Sequence, residues 1–210
     1  MEQIMFKGFL QKTKNDRKKG KLIIGVCSTH PGAGATHFSM LLATYFSEWL
    51  GIKTAYINFK DTEGFNLLKE YFLKNKEKND SNFTVGRITF YNKDNLNKLS
   101  EIIGGEADCI ILDMGHEFLE NKNEFLRCDL KIVISSLAVW KQDKLKKFLE
   151  TVNNSFAKTD WKYVITFVDE KAFKEGMGIY RINLWKMPYQ PDPFTIQTVV
   201  VRFFDSLLQK

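Results

Sequence analysis

Residues 22–49 read LIIGVCSTHPGAGATHFSMLLATYFSEW, and this stretch decides how the chain is read. Residues 22–27 form a near-continuous apolar run, the pattern of a strand buried on both faces of a parallel sheet. A loop with Gly32 and Gly34 follows, where glycine lets the backbone turn tightly and approach a ligand. Phe38, Leu41, Leu42, Tyr45, Phe46 and Trp49 then recur at helical spacing, which predicts a helix with one face on the sheet. Strand, glycine loop and helix in that order make an anion site, because loop amides and the positive helix end converge on one point. A phosphate-binding loop is therefore expected over Pro31, Gly32, Ala33, Gly34, Ala35, Thr36 and His37. Thr36 stands where such a loop offers a hydroxyl to Mg²⁺.

The motif departs from the standard G-x-x-x-x-G-K-S/T. Gly34 matches the second glycine, but Thr29 stands at the first and Ala35 at the lysine. No lysine remains in the loop to reach the β- and γ-phosphates.

At 210 residues, with 44% hydrophobic and 14% aromatic content, the chain fits one folded α/β domain rather than a disordered segment. No apolar run reaches the roughly 18 residues of a membrane span, and the charged start lacks a signal-peptide core. A cytoplasmic protein is expected, with peripheral membrane association left open. Cys27, Cys109 and Cys128 show no C-x-x-C spacing and are read as reduced core residues. The net charge of +6 is uneven, because Lys12, Lys14, Arg17, Lys18, Lys19 and Lys21 crowd together just before the first strand. The expected organisation is a basic arm over 1–20 and a single domain over 21–210. Such an arm either contacts DNA or an anionic membrane or is simply solvated. Ile4, Met5, Phe6, Phe9 and Leu10 would give it an apolar face for docking on the domain, a partner or a membrane surface.

Downstream, Gly51 stops the first helix and 53–59 reads as a second buried strand. Further strands are expected over 83–91 (or a hairpin there), 109–112, 130–135, 163–168 and 179–184. Helices are expected over 64–75, 94–103, 140–152 and 194–208. The alternation implies a three-layer, doubly wound α/β fold with a mostly parallel sheet.

Four segments, in order, resemble the deviant Walker ATPases of the MinD/ParA class, and within it the TadZ/CpaE pilus-localisation branch. STHPGAGATH (28–37) stands in place of the deviant Walker A loop K-G-G-x-G-K-S/T, and KTAYINFKDTEGFNLL (53–68) resembles hhhIDxDxxxGxxxL. ADCIILDMG (107–115) resembles the Walker B strand, and KMPYQPDPF (186–194) the proline turn before the last helix. The resemblance implies a P-loop NTPase fold of the SIMIBI type, ATP and Mg²⁺ as ligands, and a homodimer across the P-loop face. It further implies a partner belonging to a membrane-associated or secretion assembly.

Carried over residue by residue, the resemblance places the metal at Thr36 and Asp113, the latter acting through water. Backbone around Pro188 would lie beside the adenine, with Tyr189 offering a ring face; the alternative is a rigid connection into the last helix. Losses are implied as well. The signature lysine falls at His30, the phosphate lysine at Ala35, and the two DxD carboxylates at Asn58 and Lys60. Asp61 is adjacent, but pleating aims it at the opposite face unless the strand bulges. Lys60 either returns positive charge to the phosphates from another direction or is solvated. His37 either touches an α-phosphate or merely opens the helix, and His116 sits where a switch loop is expected. Thr166 and Phe167 occupy the place of the family's adenine-contacting Asn.

No Ser-His-Asp or Cys-His ordering marks a catalytic residue. Loss of one charge stabiliser commonly costs about 2.7–4 kcal/mol of barrier in such chemistry, and two are missing here. The expectation is a nucleotide-binding switch with little or no hydrolysis. A scaffold that needs no nucleotide is the alternative, and a kinase-like enzyme is disfavoured because it would need the absent lysine.

Overall fold

A computed structural model describes residues 20–60, 62–74, 82–156 and 160–209. Residues 1–19, which hold most of the expected basic arm, and Asp61 lie outside the described residues. Eight strands form one sheet: β1 (Leu22–Ser28), β2 (Thr54–Asn58), β3 (Asn82–Val85), β4 (Ile88–Tyr91), β5 (Cys109–Asp113), β6 (Leu130–Ser136), β7 (Lys162–Thr166) and β8 (Leu184–Lys186). The order is β3-β4-β2-β5-β1-β6-β7-β8. Every neighbouring pair is parallel except the β3/β4 hairpin, which turns at Gly86 with φ 58°.

The α-helices among the described residues are α1 (Ala35–Thr44, continued by a π-helical turn Tyr45–Trp49), α2 (Thr62–Leu73), α3 (Leu99–Gly104), α4 (Lys122–Arg127), α5 (Gln142–Ser155), α6 (Glu170–Tyr180) and α7 (Thr198–Leu208). Strand alternation divides the core into two layers. Ile24, Val26, Tyr56, Ile111 and Ile134 pack with Phe38, Leu41, Phe65 and Phe204 of α1, α2 and α7. Cys27, Ile57, Ile110, Val133 and Ile165 pack on the other face with Phe125, Leu145 and Phe173 of α4, α5 and α6. This is the expected three-layer α/β architecture. α4 sits so close to β1 that a Cβ on Gly25 would lie 2.8 Å from both Cys128 Sγ and Phe125 Cδ2. Cys27, Cys109 and Cys128 are all buried and unpaired, and burial raises each thiol well into its protonated form.

Several boundaries differ from the sequence expectation. Trp49 is not on the packed face but 42% exposed, because the wider π turn rotates the last residues off the sheet. In α2, Leu67 and Tyr71 face outward while Phe65 is buried. The helix expected over 94–103 begins as a 3₁₀ turn, Lys93–Lys98, capped by Asn92. The strand expected over 179–184 is not one: 181–183 are irregular, and its first two residues close α6, which is capped at Asp169, accepting from Ala172 N–H at 2.8 Å, and ends at Arg181 with φ 52°. Gly176 does not break it, since the glycine permits close packing on Leu137. Only Leu184 of that stretch belongs to β8. The last helix starts at Thr198 rather than 194, because Gln190 and Asp192 side chains bond the backbone of the preceding turn.

Among the described residues no helix is long and apolar enough to cross a membrane. The chain leaves β1 toward β2 on one side of the sheet and later adds β6, β7 and β8 on the other. The carboxyl end of β1 is thus the point where strand order reverses, the place where open α/β sheets form a crevice.

Candidate functional site

At that crevice the chain turns from Ser28 into α1. Gly32 and Gly34 have φ of 79° and 98°, which only glycine adopts without strain. Among the described residues no side chain caps α1, and the bond from Phe38 N–H to the Gly34 carbonyl, 2.9 Å, is the first of the helix. The amides of Ala35, Thr36 and His37 precede it and sit at the positive helix end. Hydroxyls fix the loop from below. Thr166 Oγ1 donates to the Ala33 carbonyl at 2.8 Å and to the Ser135 carbonyl at 3.3 Å. Thr29 and Ser135 hydroxyls pair at 2.8 Å, and Ser28 Oγ donates to the His30 and Gly115 carbonyls, each at 3.2 Å.

Asp113 ends β5, in register with Val26 of β1 and Asn58 of β2, and is wholly buried. Its Oδ2 accepts from Tyr56 OH at 2.8 Å and its Oδ1 from Gly115 N–H at 3.1 Å, and the Thr36 side chain bonds it as well. Burial pushes its pKa above the usual carboxylate range, against the downward pull of Thr36, Tyr56, Gly115 and Lys60. The two residues expected at the metal are therefore in contact. One hydroxyl and one carboxylate suit a hard divalent cation that keeps waters and takes its other ligands from phosphate. Among the described residues no group of three His, Cys, Asp or Glu could hold a metal, and His116 is exposed.

Two adjoining clefts share Gly34 and His37. The first, of about 230 Å³, is lined by Ser28, Pro31, Gly32, Ala35, Thr36, Lys60 and Gly115. The second, of about 470 Å³, is lined by Thr166, Phe167, Val168, Met187, Pro188, Tyr189 and Val199, with Lys186 and Gln190. The expected Pro188 and Tyr189 are both there. Phe167 joins them with φ 49° and 76% exposure, a strained placement for a bulky side chain and a feature that clusters at functional sites. His37 Nε2 bonds the Gln190 carbonyl at 2.7 Å, so this ring ties α1 to the proline-rich turn.

The departures from the motif have visible consequences. His30 is 5% exposed, with Nδ1 on the Pro31 carbonyl at 2.8 Å and Nε2 without a hydrogen-bond partner among the described residues. It is folded into its own loop and cannot reach outward as a signature lysine would. Ala35 is buried and contributes backbone alone. Asn58 accepts from Lys60 N–H at 2.8 Å.

Sequence reasoning missed Tyr56 and the loop-holding role of Thr166. A polar hydroxyl inside an otherwise apolar buried strand is the signal in both. Phe167 was visible only as an unexpected residue at the end of β7.

No protein-family model matches the chain, and no curated protein sequence matches it. Solved structures do. A plasmid partition protein of Borrelia burgdorferi bound to AMPPNP superposes with a TM-score of 0.63 at 16% identity, over 90% of this chain and 97% of that one. The MinC:MinD cell division complex of Aquifex aeolicus gives 0.59 at 16%, over 89% and 86%. The septum site-determining protein MinD of Pyrococcus horikoshii, complexed with Mg-ADP, gives 0.59 at 12%, over 89% and 94%. The chain shares the fold of the ParA/MinD-type P-loop ATPases.

Proposed function

We propose that the protein is a nucleotide-binding switch that takes ATP with Mg²⁺ and hydrolyses it little or not at all. One observation carries the reading: an uncapped helix end with a preformed Thr36–Asp113 pair opens directly into an apolar cleft lined by Phe167, Pro188 and Tyr189. The first cleft suits phosphates and a cation, and the second suits a flat aromatic base. Proteins of the same fold hold AMPPNP and Mg-ADP. Pro31, Gly32, Ala33, Gly34, Ala35, Thr36 and His37 would cradle the phosphates, Pro188 and Tyr189 the base, and Thr36 and Asp113 the metal. Bound Mg²⁺ would neutralise phosphate charge. The chain's own groups would bind and orient; the described end of β2 offers Asn58 and Lys60 instead of a carboxylate to orient water.

Leu119, Val139, Trp140, Phe167 and Tyr189 are 62–81% exposed and all follow carboxyl ends of strands on this face. That apolar ring suits a second copy of the chain docked across the loop. The motif resemblance favours a TadZ/CpaE-type localisation role, with a partner in a membrane-associated or secretion assembly and the basic arm touching DNA or anionic membrane. The proposed location is the cytoplasm, at the membrane periphery.

The test is thermal stability of ligand-stripped protein with and without ATP and Mg²⁺. Ligand at 100 times its dissociation constant adds about 2.7 kcal/mol. A magnesium-dependent rise that disappears in Thr36→Ala and Asp113→Ala supports the reading, and Trp140→Glu should then block nucleotide-driven dimerisation. No shift at millimolar ATP refutes it and favours a nucleotide-independent scaffold, the reading suggested by Ala35 and the inturned His30.

A further inference from the structure

A phosphate site of this kind usually includes an ammonium, and here the loop supplies none. We propose that Lys60, arriving from the end of β2, supplies that charge, so that a phosphate chain is held between its Nζ and the α1 amides. The inference rests on the nucleotide reading above and goes beyond it by naming the residue that replaces the loop lysine.

Lys60 lines the 230 Å³ cleft together with Gly32, Ala35 and Thr36. Its stem crosses the backbone at Gly115. A Cβ added there would come 2.8, 2.6 and 2.4 Å from Lys60 Cγ, Cδ and Cε, so the path exists only because residue 115 is glycine. Both ends of that crossing are fixed. Gly115 accepts from Ser28 N–H at 2.6 Å and donates to Asp113 at 3.1 Å, while Lys60 N–H donates to the buried Asn58 Oδ1 at 2.8 Å.

Among the described residues Lys60 Nζ makes no hydrogen bond or salt bridge. Among the described residues the carboxylate that feels its charge is Asp113, whose oxygens already accept from Tyr56 and Gly115 and which Thr36 also bonds. An ammonium and a positive helix end thus converge on one cleft, and among the described residues the carboxylate beside them, Asp113, is already engaged. Two like charges brought together repel, and an anion placed between them relieves both. A polyphosphate is the anion whose shape fits a narrow cleft continuous with an apolar one.

The experiment is calorimetric titration of ATP, ADP and AMP, each with Mg²⁺, into the full chain and its variants. Lys60→Met should weaken ATP roughly 10- to 100-fold, the factor of one charged hydrogen bond, and affect AMP least. Lys60→Arg should restore most of the loss. Gly115→Ala, which displaces the stem, should reproduce it, and the double variant K60M/G115A should bind no more weakly than K60M. Lys60→Met that binds ATP like the unaltered chain, while Thr36→Ala does not, overturns the role of Lys60 and leaves the site standing. An unaltered chain that binds none of the three nucleotides overturns both proposals.

Discussion

Thr166→Val tests how the loop is held. Thr166 is 6% exposed, and its hydroxyl lies 2.8 Å from the Ala33 carbonyl and 3.3 Å from that of Ser135. Valine keeps the shape but removes the donor. Ala33 and Ser135 are 1% and 0% exposed, so water does not replace the lost partner. A buried acceptor left unpaired costs about 1–3 kcal/mol, most of it here from the shorter bond to Ala33. In a chain of this size that corresponds to roughly 2–4 °C of melting temperature for each kcal/mol. Urea and thermal melts of ligand-free protein measure the stability loss, and Mg-ATP titration measures what a loosened loop does to affinity. Thr166→Ser should behave like the unaltered chain. Thr151 provides the contrast: its hydroxyl also meets a carbonyl, that of Lys147 at 2.9 Å, but on an exposed helix face. Thr151→Val should stay within about 0.5 kcal/mol. If Thr166→Val is as silent as Thr151→Val in both stability and binding, the hydroxyl does not hold the loop.

Two further outcomes follow from strain and burial. Phe167→Gly removes a bulky residue from φ 49°, worth about 1–2 kcal/mol, and adds unfolded-chain entropy of about 0.5–1 kcal/mol. Ligand-free stability should therefore stay nearly level while ATP affinity falls by a stacking contribution of about 1–3 kcal/mol; a large stability loss with unchanged affinity would make the ring structural. The raised pKa of Asp113 means that the folded state keeps a proton which the unfolded chain has already released. Its contribution to stability is full at low pH and declines as pH rises from the ordinary carboxylate range through the raised value. Asp113→Ala should flatten that decline in urea midpoints taken across pH, and an identical profile in the two proteins would contradict the assignment.

The loop and its neighbours were legible because they depend on local rules. Gly32 and Gly34 mark positive φ, and Thr36 and Asp113 meet because β1 and β5 pair side by side. What was illegible depends on long-range placement. Nothing local tells that Thr166 points at Ala33, 133 residues away. The helix α6 was not foreseen: a strand was expected over 179–184, and nothing local shows that Gly176 sits in a helix to answer a packing demand from Leu137. Lys60 was ambiguous for the same reason: its path depends on Gly115, which belongs to another strand's end.

The proline-rich turn is anchored to α1 at His37 and at Thr44, whose hydroxyl meets the Pro193 carbonyl at 2.7 Å. One residue further on, Tyr45 OH meets Asp205 of α7 at 2.5 Å. Three ties along one helix leave α1, the turn and α7 little freedom to slide against one another. They form a single strut that runs from the phosphate cradle past the base cleft to the far end of α7. Local opening along this strut must break all three ties together, which makes it a cooperative unit for amide exchange. The width of the base cleft is then set by the same helix whose first turn faces the phosphates, so neither half of the site adjusts without the other.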